Sequence, residues 1–429
     1  MVKLIETLRN HWKKSTLGVA VLAYGINYGL NSFELGSMMR SVCAEAVKHG
    51  DRPITEGKPR RVTVILNPAS NNRKSKKNFE NYCAPLLYLS GAYVSIIETE
   101  REGHGRDIIK KIDPKTDAVI VAGGDGTLSE IITGLMRYKG ELCKIPIGVL
   151  PLGKTNTLAK RLYGVEDSTS YSGMVNATMA IIEGKTKTID AFRIELLQSM
   201  EEEAKPPVYG VGGIEWGLWR HIKKQKDAFW YLGPFGKYAP LIFPGNALEK
   251  EITAKVRYTK PCSGCSECYS QRPDLMIQSP TQQQVGSRWW NVLSLKNRRL
   301  QTQGMPFVDY SKITNPECST VEEISVKTSD LSVVTSNDPF LELDKEKPHL
   351  LLSIAPKTKY QGDLLFDGYK FLNEGKPSVG KIEMKQLEIR PETEKPEGDE
   401  ENLSIDNEDF EVRPIRVTVL PNAVNVFCP

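Results

Sequence analysis

The chain has 429 residues, 40% of them hydrophobic and 26% charged. That is ordinary globular usage at a length suited to two or three domains, and it excludes wholesale disorder and collagen-like structure. With 57 Lys and Arg against 53 Asp and Glu the net charge is only +4, so nothing demands a nucleic-acid partner. A mean hydropathy of −0.35 excludes a polytopic membrane protein.

The first residues are basic: Lys3, Arg9, Lys13 and Lys14 face one acid, Glu6. Leu4, Leu8 and Trp12 fall at helical spacing and make a short basic amphipathic face. Ser15 to Phe33 then runs 19 residues without a charge. As a helix it would reach about 28 Å, just short of a ~30 Å hydrocarbon core. Asn27 and the glycines at 18, 25 and 29 weaken it further. No convincing cleavage site stands around Ser37 to Arg40. Residues 1–58 are therefore read as an uncleaved membrane-anchoring segment with basic flanks, better suited to mitochondrial targeting than to export. The alternative is an amphipathic helix docked on the globular part.

From residue 59 to about 195 the pattern alternates strand and helix. Val62–Leu66, Tyr93–Ile97, Ala118–Val121 and Ile147–Leu150 read as strands. Ser75–Leu89 and Arg106–Ile112 have helical spacing. A further helix follows Thr127, with Glu130 at capping-box distance and Leu128, Ile131, Ile132, Leu135 and Met136 on one face. Such repetition predicts a parallel sheet covered on both faces. Residues 196–429 read as a second, mainly antiparallel domain. Its predicted strands, the first of which starts before the boundary, are Thr188–Leu197, Val208–Val211, Ile252–Tyr258, His349–Ala355, Lys381–Ile389 and Arg416–Leu420.

Residues 259–344 turn polar and predict a poorly ordered insertion, broken by an apolar-basic piece at Trp289-Trp290. Cys262, Cys265 and Cys268 stand there three apart, with no fourth Cys or His nearby in sequence. They could hold part of a metal site, form an oxidised loop, or do neither. Glu392–Glu411 carries ten acids against the single base Lys395, the signature of a solvated loop.

Three loops carry the chemistry. In Gly123-Gly124-Asp125-Gly126-Thr127 the glycines let backbone N–H groups approach phosphate oxygens, and the following helix N-terminus favours their charge. A tight strand-to-helix turn is the plainer reading, but the place after an apolar strand favours the phosphate one. Asp125 would repel phosphate alone, so it makes sense beside Mg²⁺, directly or through water, or in orienting a hydroxyl. Asn67-Pro68-Ala69 closes the first strand, where a parallel sheet opens onto its ligand, and Asn67 can offer donor and acceptor to a nucleotide. The stretch Arg73-Lys74-x-Lys76-Lys77 is either a phosphate contact or a solvated helix start.

Asn67-Pro68, the Gly123–Thr127 loop, and Pro151-Leu152-Gly153 with Asn156, in this order and spacing, resemble the diacylglycerol/sphingosine lipid-kinase family. The strings Thr7–Lys14, Lys144–Gly148 and Trp230–Pro234 are similar to its mitochondrial acylglycerol branch in animals. The likeness covers most of the chain and fails mainly in residues 259–344. It implies an α/β fold: an N-terminal three-layer lobe with a parallel sheet, as in NAD kinases and phosphofructokinases, and a C-terminal antiparallel β-sandwich lobe, with ATP and lipid meeting between them. It implies Mg²⁺- and ATP-dependent phosphorylation of monoacylglycerol and diacylglycerol to lysophosphatidic and phosphatidic acid, with ceramide and sphingosine as further candidate acceptors. It places the protein at the mitochondrial inner membrane, facing the intermembrane space, and adds a role as a subunit of the carrier-protein translocase.

The resemblance also assigns residues. Asn67, Pro68, Gly123, Gly124, Asp125, Gly126, Thr127, Gly153 and Asn156 would bind the nucleotide, and Asp125 would serve metal and catalysis. Relatives carry Asp-Gly-Glu near the C-terminus with Asp as general base; the matching stretch here is Ile405-Asp406-Asn407-Glu408. Asn in place of Gly is tolerable because Asn also visits the left-handed region. The acidic neighbours would make Asp406 a better base. Where the family reads Gly-Thr-Gly-Asn-Asp, this chain has Gly153-Lys154-Thr155-Asn156-Thr157, so an acid is lost and a different substrate site with slow turnover is expected. The alternatives are a non-catalytic scaffold for protein insertion at the inner membrane and an NAD kinase-like enzyme.

Overall fold

The computed structural model describes residues 12–50, 59–138, 144–164, 170–197, 205–245, 251–269, 310–337, 349–355, 360–374, 380–392 and 402–429. They divide into two compact units. The first comprises Met1–Thr127, Ile145–Thr186 and Phe427–Pro429; the second comprises Leu128–Lys144 and Lys187–Val426.

In the first unit β1 (Arg61–Leu66), β2 (Tyr93–Glu98), β3 (Ala118–Gly123) and β4 (Ile147–Pro151) pair in parallel in the order β2-β1-β3-β4. β1, β3 and β4 are buried almost end to end. Both faces of the sheet are covered, and this is why their sequences read as continuous apolar runs. Val64, Ile120 and Leu150 pack with Phe79, Leu87, Met174 and Phe427 in one core. The predicted helix Ser75–Leu89 is helical throughout but widens into a π turn at Phe79–Cys83. The widening falls just before Pro85, which has no N–H to give to a regular ladder.

The N-terminal segment forms α1 (Trp12–Gly50). Its later turns dock: Met38, Met39, Val42, Cys43 and Ala46 pack on Leu86, Val175 and Met179. Its earlier apolar side chains, Leu17, Leu22, Tyr24, Ile26, Leu30 and Phe33 among them, are exposed on every side. Among the described residues no helix is long and apolar enough to cross a membrane. After α1 and the Ser75–Leu89 helix comes a short helix at His104–Ile108, extended by a 3₁₀ turn at Ile109–Lys111 where Arg106–Ile112 was expected. Then follow α2 (Asp125–Arg137), which starts in this unit and continues into the second, α3 (Thr157–Tyr163) and α4 (Tyr171–Glu183).

The second unit holds two antiparallel arrays. One runs β16 (Ile415–Phe427), β13 (Gln386–Pro391), β8 (Ile252–Thr259), β9 (Val321–Thr328), with β5 (Thr186–Leu196) on β16 and β6 (Val208–Gly210) on β5. The other runs β12 (Gly380–Met384), β11 (Leu350–Ile354), β10 (Asp330–Thr335), β7 (Gly213–Gly217), β14 (Asn402–Ile405), β15 (Glu408–Glu411). Ile214, Trp216, Val333 and Leu352 from one array pack against Val256, Leu387 and Val417 from the other in a single core, a β-sandwich. The unit also carries α5 (Leu218–Gln225), a 3₁₀ stretch at Lys226–Phe235, short helices at Ala239–Ile242 and Ser266–Tyr269, and α6 (Gln361–Glu374).

Three expectations need correction here. Lys381–Ile389 is not one strand; it breaks at Lys385 into β12 and β13, which belong to different arrays. The expected insertion contains β9 and β10, and β10 lies inside its sheet; alternating apolar residues were present there but were outweighed by the polar composition. The acidic run is not a loop at its C-terminal end, where β14 and β15 form a hairpin. Trp289-Trp290 lies outside the described residues.

Candidate functional site

The carboxyl ends of β1, β3 and β4 lie on one edge, since Leu66 pairs with Ala122 and Gly123 with Pro151. The three loops singled out in the sequence therefore emerge side by side. Gly124 and Gly153 bring two of them into backbone contact. A Cβ on Gly153 would stand 2.1 Å from Gly124 Cα, and one on Gly124 would stand 3.0 Å from Thr155 O. The glycines are thus required for loop against loop, a demand the sequence reading did not anticipate. Gly126 is half-buried in the first turn of α2.

Side chains tie the same loops. Asn67 Nδ2 donates to Thr127 Oγ1 at 2.9 Å, and its Oδ1 accepts from Ala69 N at 3.1 Å. Asn156 is buried and turned inward: Oδ1 accepts from Gly153 N at 3.0 Å, and Nδ2 donates to Gly153 O at 2.8 Å. Asp125 is 5% exposed. Its N–H donates to Thr155 O, and both carboxylate oxygens accept from Thr157 N at 2.8 and 3.0 Å. Thr157 opens α3, whose first turn carries no acid. Asp125 therefore supplies from a neighbouring loop the negative charge that this helix start lacks. Beyond Pro68 the backbone is left-handed at Asn71, Asn72 and Arg73 (φ 50°, 53° and 64°), a run of non-glycine strain of the kind that clusters at functional loops. Of the basic stretch, Lys76 pairs with Glu98 at 2.7 Å.

Asp406 lies in the second unit and is built differently. Asp406 and Asn407 are the two central residues of the β14–β15 hairpin, with φ of 49° and 67°, the left-handed pair that a type I′ turn demands. Asp406 is 7% exposed. Oδ1 accepts from Gly212 N at 2.8 Å and Gly213 N at 2.9 Å, and Oδ2 accepts from Val211 N at 3.0 Å. Three of the carboxylate's roughly four acceptor positions are filled by backbone. The buried, oriented group replaces the solvated carboxylate expected of an acidic run. Gly210-Val211-Gly212-Gly213 was missed in the sequence; its glycines are the available signal, because a Cβ at 210 or 212 would come within 2.7–2.8 Å of an Asp406 oxygen.

Two neighbours support this hairpin. The later turns of α2 grip the strand before the cradle: Thr133 Oγ1 donates to Tyr209 O and accepts from Tyr209 N, each at 3.1 Å, and Arg137 Nε donates to Pro207 O at 2.8 Å. From α5, Arg220 donates to Asn407 O and Asp409 Oδ1, and Lys224 to Asp409 Oδ2. Burial works to raise the Asp409 carboxyl, but the hydrogen bonds from Lys224 and Arg220 outweigh it and hold the group below its ordinary value. The same unit exposes aromatic side chains: Trp230 (80% exposed), Tyr231, Phe235 and Phe243, with Phe366 and Tyr369 on α6. Tyr238 and Tyr369 stack at 6.4 Å, and Lys237 lies over the Tyr238 ring.

A glycine-paired loop edge on a parallel sheet, followed by a β-sandwich, defines a class of nucleotide-using kinases, and comparison agrees. Residues 61–194 match the diacylglycerol kinase catalytic domain and residues 211–429 the acylglycerol kinase C-terminal model. The chain is 31% identical to the mitochondrial acylglycerol kinase of Mus musculus and 32% to that of Homo sapiens, covering 100% of this chain and 97% of each relative. A diacylglycerol kinase structure from Bacillus anthracis str. Sterne shares the fold at a TM-score of 0.50 and 16% identity, over 87% of this chain and 98% of that one. The chain belongs to the acylglycerol kinase family and is an ATP-using lipid kinase.

Proposed function

We propose that this kinase transfers the γ-phosphoryl group of Mg²⁺-ATP to the free hydroxyl of monoacylglycerol and diacylglycerol, giving lysophosphatidic and phosphatidic acid. The observation that carries the reading is the loop edge around Gly124 and Gly153 in a chain that matches acylglycerol kinases along its whole length. In this reading the N–H groups at the start of α2, reached past Gly126, hold phosphate, with Asn67, Pro68, Thr127 and Asn156 keeping the loops in register. Asp125 would hold Mg²⁺ directly or through water: its two oxygens share a single N–H, that of Thr157, and each carboxylate oxygen carries a second lone pair. The ion would be held mainly by the phosphates, whose charge it offsets. Asp406, oriented by three amides, accepts the hydroxyl proton as general base. The test is purified protein with Mg²⁺ and labelled ATP, offered monoacylglycerol, diacylglycerol, ceramide, sphingosine and NAD side by side. Labelled lysophosphatidic and phosphatidic acid are expected; label only on NAD, or on no lipid, overturns the reading.

The same proposal places the enzyme at the mitochondrial inner membrane, facing the intermembrane space. Support comes from the relatives' mitochondrial naming, from the exposed apolar turns of α1, and from Trp230, Phe235 and Phe366, aromatic groups suited to a membrane interface. Removing residues 1–33 should release the protein from carbonate-washed mitochondria while ATP binding persists. A second role as a carrier-translocase subunit rests on the same exposed α1 surface. Carrier import in mitochondria containing only Asp406→Asn should continue if that role is independent of chemistry.

A further inference from the structure

The long connection between β8 and β9 is pinned at both ends by cysteine. Cys262, Cys265 and Cys268 follow β8 directly, and Cys318 stands just before β9, the strand that pairs with β8 from Ile252↔Thr328 to Thr259↔Val321. All four are buried, and their sulfurs lie within 4.8 Å of one another. Cys318 is the fourth ligand that spacing alone could not supply, because residues 269–317 separate it from Cys268.

Four thiols could be a small apolar cluster, two disulfides or a metal site. The donors around them decide. The Cys265 sulfur accepts from the backbone N–H groups of Glu267 and Cys268, two and three residues on, the wrap by which a Cys-x-x-Cys turn presents a thiolate to a metal. Asn315 Nδ2 donates to Cys262 Sγ at 3.4 Å. Lys385 Nζ lies 2.7 Å from Cys318 Sγ and 3.7 Å from Cys268 Sγ. Amides and an ammonium converging on sulfur make sense for thiolates and little sense for neutral thiols or disulfides, which are weak acceptors. At a metal–sulfur distance of ~2.3 Å, a tetrahedral ion holds its sulfurs about 3.8 Å apart, within the observed spread and tighter than a multi-iron cluster requires.

We propose that Cys262, Cys265, Cys268 and Cys318 form a tetrathiolate Zn²⁺ site that staples the two ends of the β8–β9 connection. Binding releases the thiol protons to solvent and leaves a site of net charge −2, which Lys385 partly offsets. Lys385 stands at the break between β12 and β13, with its N–H on Thr259 O at 3.0 Å, so the staple also engages the point where the chain passes between the two arrays. Closing a long connection costs entropy that the ion–sulfur bonds offset.

The test uses the full chain, purified under reducing conditions without chelator, with metal content measured by mass spectrometry. About one zinc per chain is expected. Cobalt exchanged into the site should show the sulfur-to-metal charge-transfer absorption that coordination by thiolates produces. Cys318→Ser should lose most of the zinc, whereas Cys43→Ser, outside the cluster, should keep it. If Cys318→Ser fails to fold, the wild-type zinc content and cobalt spectrum decide alone. A metal-free wild type, iron in place of zinc, zinc that exchanges to cobalt without thiolate absorption, or peptide mapping that finds the four cysteines in disulfides would each overturn the proposal.

Discussion

Asp125 and Asp406 are both buried carboxylates satisfied by backbone N–H groups, yet their seats are built on opposite plans. Asp125 sits within a loop pair brought together by a parallel sheet, and its partner, Thr157, is 32 residues away. Asp406 sits at a hairpin tip and takes its three amides from the bend between β6 and β7, 193–195 residues away. The first arrangement is local and repeats a strand-loop-helix rhythm, so sequence marks it. The second exists only once distant β-strands have paired. It follows that the first seat should be sensitive above all to its glycines, and the second to its carboxylate together with Gly210 and Gly212 beside it.

The largest expected effect is on the first seat. Gly126→Glu fills the space at the start of α2 and adds a charge that repels phosphate, so turnover should vanish while the far-ultraviolet spectrum and melting curve stay near wild type. Retained turnover in a folded variant would remove the phosphate role from this loop and end the comparison.

Next is Asp406→Asn. Loss of the proton acceptor should lower turnover ~10²–10⁴-fold with little change in nucleotide affinity. The substitution is not neutral to the fold. Asn keeps one acceptor oxygen, which can still serve Gly212 and Gly213, but turns an NH₂ group toward Val211 N. Leaving that buried donor unpaired costs about 1–3 kcal/mol. Melting temperature and single-turnover rate measured together separate the two: a stability loss with a rate drop below about tenfold would make Asp406 a hairpin anchor only.

These two seats also mark how far the sequence could be read. The parallel sheet was legible because β1, β3 and β4 are buried on both faces and leave unbroken apolar runs, and the glycines at 123, 124, 126 and 153 punctuate their ends. What those glycines do was only half legible, since the contact of Gly124 with Gly153 depends on two strand ends lying on one edge. In the second unit, polar composition hid β9, β10, β14 and β15: β9 alternates exposed and buried residues, whereas β10 and β14 bury polar side chains such as Ser332 and Ser404 along with their apolar ones. Lys385 and Cys318 could not be placed at all before β8, β9, β12 and β13 were paired.

A milder change sharpens the first half of the comparison. Gly153→Ala places a methyl group 2.1 Å from Gly124 Cα and 2.7 Å from Gly124 N. Backbone must move, at about 1–3 kcal/mol for overpacking, and the Gly123–Thr127 loop moves with it. A displacement of this kind typically lowers kcat/KM up to ~10²-fold. The loss should fall on ATP, with the lipid dependence of the rate little altered. An equal loss for both substrates would mean that the loop pair does more than hold nucleotide.

The smallest effect concerns what steadies Asp406 from outside. Asp409 accepts from Arg220 and Lys224, both at 2.8 Å, and its carboxyl lies below its ordinary value. A group lowered in this way contributes stability above its unfolded value, near 3.9, and loses it as pH falls through the folded one. The pairs are partly exposed, with Asp409 at 33%, so each is worth under about 1 kcal/mol. Asp409→Asn should therefore melt slightly below wild type at pH 7, and the gap should narrow as the buffer is taken below pH ~4. Because Arg220 also holds Asn407 O, the turn keeps one tether in the variant, and turnover at pH 7 should fall only modestly. A gap that stays constant with pH would mean that the charge of Asp409 is not what secures the hairpin, and that the three amides from Val211, Gly212 and Gly213 hold Asp406 in place on their own.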